Sequence, residues 1–129
     1  MIVIASDHGG FALKQEIMGH LRSRGVDFED IGTYDESSCD YPDYGEKAAR
    51  AVAAGTYERG ILICGTGIGI SIAANKVNGI RCALCSDCFS AEMSRAHNDA
   101  NLLAMGGRTI GPELAKRIGK FTDIEKRSR

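Results

Sequence analysis

Ile61-Leu62-Ile63-Cys64-Gly65-Thr66-Gly67-Ile68-Gly69-Ile70-Ser71-Ile72-Ala73-Ala74-Asn75-Lys76 is the stretch that decides the fold. It opens as a short apolar run rich in β-branched residues, the pattern of a buried strand. It breaks at Cys64-Gly65-Thr66-Gly67 and resumes as an Ala/Ile-rich segment that reads as a helix. Strand, glycine turn and helix N-terminus in that order form a ready anion site, because the first N–H groups of a helix lack helical partners and converge there. Glycines in the turn let the backbone approach a ligand closely. A thiol heads this turn. Cys64, at a strand end facing a helix N-terminus, is placed to act as a thiolate.

Upstream, Ile2-Val3-Ile4-Ala5 reads as a first buried strand and Ser6-Asp7-His8-Gly9-Gly10 as the loop after it. Leu13, Ile17 and Leu21 then recur at spacing four, with Lys14, Gln15, Glu16 and Arg22 between them, which predicts an amphipathic helix ending before Gly25. Val26 to Ile31 alternates apolar and acidic residues, as a strand near a sheet edge does. After the polar loop from Gly32 to Asp40, Pro42 suits the first turn of a helix on which Tyr44, Ala48 and Val52 share a face, and Gly55 ends it.

Downstream, Ile80 to Cys85 is a fourth strand. Ser86 or Asp87 caps the helix after it, with Phe89, Met93 and Ala96 expected inward. Asn101 to Met105 is a fifth strand with Gly106-Gly107-Arg108-Thr109 as its exit loop, and Gly111-Pro112 opens a last helix that Gly119 stops. Strands alternating with helices predict an α/β fold, a parallel sheet with helices on both faces. In such a sheet ligands sit at the carboxyl ends of the strands. Asp7 and His8, Cys64 and Thr66, and Arg108 all fall there. His97 and Asn98 fall at the opposite end of the fifth strand, so one chain alone is not expected to bring His97 to Cys64, whereas a symmetric partner can.

A chain of 129 residues is long enough for one domain with one core, taken here as 1–129. A formal net charge of −1 gives no reason to invoke nucleic acid or a membrane surface. No apolar run nears the ~20 residues a bilayer span needs. Met1 to Ala5 is short for a signal segment and lacks a basic run. Five cysteines, an odd number, fit a reducing compartment better than a disulfide framework. The expectation is a cytoplasmic protein. From Lys116 onward six basic residues face two acidic ones, so that segment carries +4 and the rest −5. The tail is either a solvated surface or a phosphate contact.

The glycine turn admits three readings. Gly65-Thr66-Gly67-Ile68-Gly69 suggests a dinucleotide fingerprint, but Ile70 stands where the third glycine belongs, and the turn follows the third strand instead of the first. Asp87, about 20 residues on, keeps that reading partly alive. A tight turn without a ligand is the second reading, and a phosphate or enediolate cradle the third. Cys82-x-x-Cys85-x-x-Cys88 has metal-ligand spacing but lacks a fourth ligand. On a strand, Cys82 and Cys85 point to opposite faces, so small buried thiols are the better reading and no metal is expected. His8 and His97 sit among polar neighbours at element ends and read as functional. His20 reads as structural or exposed, and Cys39, in a polar loop, carries no site argument.

Four segments together carry a resemblance. They are Ser6-Asp7-His8-Gly9-Gly10, Asp40-Tyr41-Pro42-Asp43, Cys64 to Gly69 with Ile72-Ala73-Ala74-Asn75-Lys76, and Ser94-Arg95-Ala96-His97-Asn98-Asp99-Ala100-Asn101. In this order they resemble the type B ribose-5-phosphate isomerase family, which also includes galactose-6-phosphate and allose-6-phosphate isomerases. The resemblance runs from Met1 to about Ala115 and again over the tail. It implies a Rossmann-like αβα sandwich with a five-stranded parallel sheet. It also implies a metal-free, cofactor-free aldose–ketose isomerase, working as a dimer or dimer of dimers whose subunits share each site.

By that resemblance His97 opens the sugar ring with help from Asp7, and Cys64 is the base that moves the C2 proton to C1. The backbone around Gly65, Gly67, Ile68 and Gly69 meets the enediolate charge, with Thr66 adding a hydroxyl and Asn98 an amide. His8 and Arg108 match positions that hold the phosphate. The resembled pattern continues with a longer C-terminal helix containing Trp and then an Arg-His pair. Here Glu113-Leu114-Ala115 passes straight to Lys116-Arg117-Ile118, and the chain has no Trp. Arg117 matches the second arginine of that motif and the first has no counterpart; a real gap of about twenty residues weakens phosphate binding, and an omitted segment leaves the site whole. The other activities kept open are isomerisation of a six-carbon sugar phosphate or free rare aldose, a phosphate- or nucleotide-binding module without turnover, and an inactive subunit of a hetero-oligomer.

Overall fold

The computed structural model describes residues 1–120. Five strands alternate with five α-helices: β1 (Ile2–Ser6), α1 (Phe11–Ser23), β2 (Phe28–Asp30), α2 (Tyr41–Ala53), β3 (Arg59–Cys64), α3 (Ile68–Asn75), β4 (Cys82–Leu84), α4 (Cys88–Ala96), β5 (Leu102–Gly106) and α5 (Pro112–Gly119). A single 3-10 turn, His8–Gly10, precedes α1. All strand pairs are parallel and the sheet order is β2-β1-β3-β5-β4. β3 is therefore central and covered on both faces, which is why it reads as an unbroken apolar run.

Alternate residues of the strands feed two cores, as a side-chain period of two requires. Ile2, Ile4, Ile61, Ile63, Leu103 and Met105 pack with α1, α4 and α5. Val3, Ala5, Leu62, Cys64, Leu102 and Ala104 pack with α2 and α3. This is the αβα sandwich expected from the sequence. β1 and β3 are neighbours, yet the chain leaves β1 for β2 on one side and β3 for β4 and β5 on the other. The crevice between their carboxyl ends is the topological switch point, the place where such sheets bind ligands.

The structure corrects three readings. β2 and β4 are three-residue edge strands, much shorter than the apolar patterns over 26–31 and 80–85. An edge strand pairs on one side only, so fewer residues meet the ladder. On α4 the inward residues are Ala91, Ser94 and Arg95, and Phe89 is 70% exposed. The narrow space above the sheet edge takes Ala91 and the stem of Arg95, whose guanidinium bonds the Ala100 carbonyl. Lys14, placed by its spacing on the wet side of α1, is fully buried. Its ammonium finds Asp30 Oδ1 at 2.6 Å and also donates to the Thr33 carbonyl, so the buried charge is paired and hydrogen-bonded. α5 is one continuous helix, with Ala115 and Ile118 in the core. Lys126, Arg127 and Arg129 of the basic tail lie outside the described residues.

Candidate active site

β3 ends at Cys64 and α3 begins at Ile68, so three residues turn the chain. The turn needs Gly67. Its φ of +81° is in the left-handed region, and a Cβ there would stand 2.6 Å from Leu84 Cδ1 and 2.8 Å from the Met105 carbonyl carbon. That conformation aims the Gly67 N–H back at the strand end, where it donates to Cys64 Sγ at 3.1 Å. The bond fixes where the sulfur points, toward the start of α3. Cys64 is 4% exposed. Beside it, the exposed Thr66 accepts the Ile68 N–H on Oγ1 at 3.2 Å, taking up one of the free donors at the start of α3.

The loops after β1 and β5 close on this turn. Asp7 donates its N–H to Ile63 O at 3.2 Å and accepts the Gly10 N–H on Oδ1 at 3.0 Å, which fixes the Asp7–Gly10 corner. Gly9 lies against Gly65: a Cβ on it would come within 3.2 Å of Gly65 N and 3.4 Å of Arg108 Cζ. Gly107 and Arg108 donate their N–H groups to the carbonyls of Cys64 and Gly65 at 2.8 and 2.9 Å. Thiol, carboxylate, imidazole loop and guanidinium are thus gathered at the switch point by main-chain bonds, and Tyr41 lays its ring over Gly69. Asp7, His8, Cys64, Thr66, Gly65, Gly67, Ile68, Gly69 and Arg108 come together in one chain.

His97, Asn98 and Arg117 do not join them. His97 caps the C-terminus of α4 and Asn98 follows it, both exposed at the amino end of the sheet. Arg117 is exposed in the last turn of α5, which runs back from the carboxyl ends of the strands. Sequence reasoning missed Cys39. Its N–H donates to His8 Nδ1 at 3.1 Å, and its Sγ lies 3.8 Å from the same nitrogen. A backbone donor 31 positions from its acceptor leaves no local signal.

The cysteine triplet is not a ligand set. Cys82 packs on the α2 and α3 side of the sheet and Cys85 on the other side, and no three His, Cys, Asp or Glu gather as metal ligands among the described residues. Burial, with Cys85 beside it, pushes the Cys82 thiol up to about 12; burial and the Asp87 carboxylate push Cys85 up to about 11, against a lowering hydrogen bond with Ser94. Both stay protonated at neutral pH, so iodoacetamide at pH 8 is expected to leave them unmodified in the native protein. Mass spectrometry of the alkylated chain checks this, and labelling of either at the rate of a free thiol contradicts it. Asp87, whose spacing kept the dinucleotide reading alive, caps α4 by accepting Ser90 N–H and Oγ–H at 2.7 and 2.9 Å, bonds that hold its carboxyl below the usual range.

Known proteins share this fold. The profile described as Ribose/Galactose Isomerase matches residues 2–126. The chain belongs to the ribose/galactose isomerase family. Ribose-5-phosphate isomerase B of Escherichia coli is 56% identical over 117 residues, covering 91% of this chain and 78% of the relative. D-erythrulose-4-phosphate isomerase of Pectobacterium atrosepticum is 46% identical over 127 residues, covering 96% and 83%. Among solved structures, ribose-5-phosphate isomerase B of Clostridium thermocellum superposes with a TM-score of 0.93 at 54% identity, covering 97% of this chain and 84% of that one. The sandwich is thus that of the ribose/galactose isomerase family, and the expectation of an isomerase is met.

Proposed function

We propose that the chain interconverts ribose 5-phosphate and ribulose 5-phosphate through a cis-enediolate, with Cys64 as the base. The observation that carries this is the Gly67 N–H on Cys64 Sγ at 3.1 Å, at the point where three strand-end loops meet. The Cys64 thiolate takes the proton from C2 of the open-chain aldose. The C2–H electron pair forms the C1–C2 double bond, and the carbonyl oxygen on C1 becomes the oxyanion. The O2 hydroxyl proton passes to O1, and the thiol then returns its proton to C1 as the electrons left on O2 form the ketone. The thiolate is regenerated, and no oxidant or reductant is consumed. The Gly65–Gly69 backbone and Thr66 face the developing charge, as an oxyanion hole does. His8 and Arg108 hold the phosphate, Arg108 through a planar fork suited to phosphate oxygens. Arg117, in the last turn of α5 and away from this site in one chain, supports phosphate binding only from a partner copy.

Ring opening needs His97, assisted by Asp7, and Asn98 adds an amide at the enediolate. Both His97 and Asn98 come from a partner copy in this reading. Ile68 and Ile72, one turn apart on α3, are exposed beside Leu84 of edge strand β4, and Phe89 follows at the head of α4. An exposed apolar patch rimming the Cys64 turn suits a symmetric partner. Five free cysteines suit a reducing cytoplasm, and no helix among the described residues is long and apolar enough to cross a membrane.

Subunit complementation tests the shared site. Cys64→Ala and His97→Ala are each expected to be inactive as homodimers. Co-refolded, half of the dimers are hybrids with one intact site, so about a quarter of wild-type activity returns. No recovery, with hybrid dimers shown to form, contradicts sharing. Substrate length is read from kcat/KM for four-, five- and six-carbon aldose phosphates and free aldoses, because one carbon is a small discrimination.

A further inference from the structure

We propose that Lys14 is a positioning residue for the isomerisation: it anchors the loop from Thr33 to Asp40, and that loop sets which nitrogen of His8 carries the proton. The inference rests on the reading of His8 as a phosphate ligand.

Lys14 stands in the first turn of α1 with no solvent exposure. Its ammonium is 2.6 Å from Asp30 Oδ1, donates to the Thr33 carbonyl, and lies 5.5 Å from the ring centres of both Phe11 and Tyr34. Asp30 Oδ1 also accepts the Gly32 N–H at 3.0 Å. Thr33 is tied in turn to β1, its N–H donating to Ser6 O at 2.7 Å. The root of the loop is therefore fixed from three directions. A buried ion pair adds little net stability over apolar side chains of the same shape, whereas it does specify one arrangement. Here the arrangement specified is the path of the loop.

Six residues on, the loop reaches Cys39, whose N–H meets His8 Nδ1 at 3.1 Å. A neutral imidazole nitrogen that accepts a hydrogen bond carries no proton, so the proton of neutral His8 sits on Nε2. A phosphate ligand must donate. Nε2–H donates to an anionic oxygen, whereas the other tautomer turns a lone pair toward it. Lys14 thus acts on the substrate through the loop and His8, and touches no reacting atom.

The test uses ¹⁵N-labelled full-length protein and imidazole ¹⁵N–¹H correlation spectra, with His8→Gln assigning the His8 signals. Wild type is expected to show the Nε2–H tautomer. Lys14→Met keeps the length of the side chain and removes its charge. It is expected to give mixed tautomers at His8 and to raise KM for ribose 5-phosphate about tenfold with kcat within about twofold. If Lys14→Met does not fold, Asp30→Asn breaks the same pair with little change of shape and is expected to behave alike. Cys39→Pro deletes the N–H donor and is expected to release the tautomer directly. A folded Lys14 or Asp30 variant with the wild-type tautomer overturns the proposal, as does an altered tautomer with unchanged KM. An unchanged KM in His8→Ala removes instead the reading of His8 as a phosphate ligand, a result the tautomer spectra do not touch.

Discussion

Cys64→Ala is expected to lower kcat for ribose 5-phosphate by roughly a thousandfold, the size of effect that loss of a positioned general base has. The fold should survive. Cys64 is a small side chain in the α2-side core, and its removal takes away one sulfur atom and leaves a cavity too small to cost more than about 1–2 kcal/mol. The Gly67 N–H loses its acceptor in a buried position, which adds about 1–3 kcal/mol that the fold should still bear. KM should move little, because phosphate and hydroxyl contacts are made elsewhere. Cys64→Ser should fare no better, since a serine hydroxyl holds its proton far more tightly at the same spot. The measurement is steady-state kinetics with thermal unfolding of the same preparations. A Cys64→Ala enzyme within tenfold of wild type would falsify the assignment of the base.

Gly67→Ala is expected to damage both stability and turnover. The left-handed backbone at +81° costs a non-glycine residue about 1 kcal/mol or more. The added methyl meets Leu84 Cδ1 and the Met105 carbonyl inside 3 Å, and the latter is backbone of a central strand that cannot step aside. Overpacking of this kind costs about 1–3 kcal/mol. The sum, roughly 3 kcal/mol, corresponds to a fall in melting temperature on the order of 10 °C for a domain of this size. If the turn moves to relieve the clash, the Gly67 N–H leaves Cys64 Sγ, and kcat falls at temperatures where the protein is still folded. Denaturant titration and kinetics on one sample separate the two effects. A variant as stable and as active as wild type would mean that the turn relaxes freely and does not orient the thiol.

The legible parts of this chain are those where one physical rule acts alone. From Ile61 on, β3, its glycine turn and α3 are written in one unbroken stretch, because a strand buried on both faces must be apolar throughout and a left-handed turn wants glycine. The carboxyl-end loops could be grouped in advance, since a parallel sheet sends every strand end the same way. The misread parts are those where two rules compete. Helical spacing put Lys14 in solvent, and pairing with Asp30 across 16 positions put it in the core. Apolarity turned Phe89 inward, while its place at the sheet edge left it outside. Cys39 was beyond reach for another reason: it acts through its backbone, which sequence does not distinguish. His97 belongs to a third class, since its distance from the Cys64 turn along the fold is legible and the role proposed for it depends on a second copy.

The most direct test of the central claim follows carbon-bound deuterium. Ribose 5-phosphate is incubated with wild type and Cys64→Ala in deuterated buffer, and the sugar phosphates are examined by proton NMR. Wild type is expected to form ribulose 5-phosphate carrying solvent deuterium at C1, and Cys64→Ala to yield neither product nor label on the same timescale. A folded wild-type protein that leaves the C2 proton in place and forms no ketose would contradict the account.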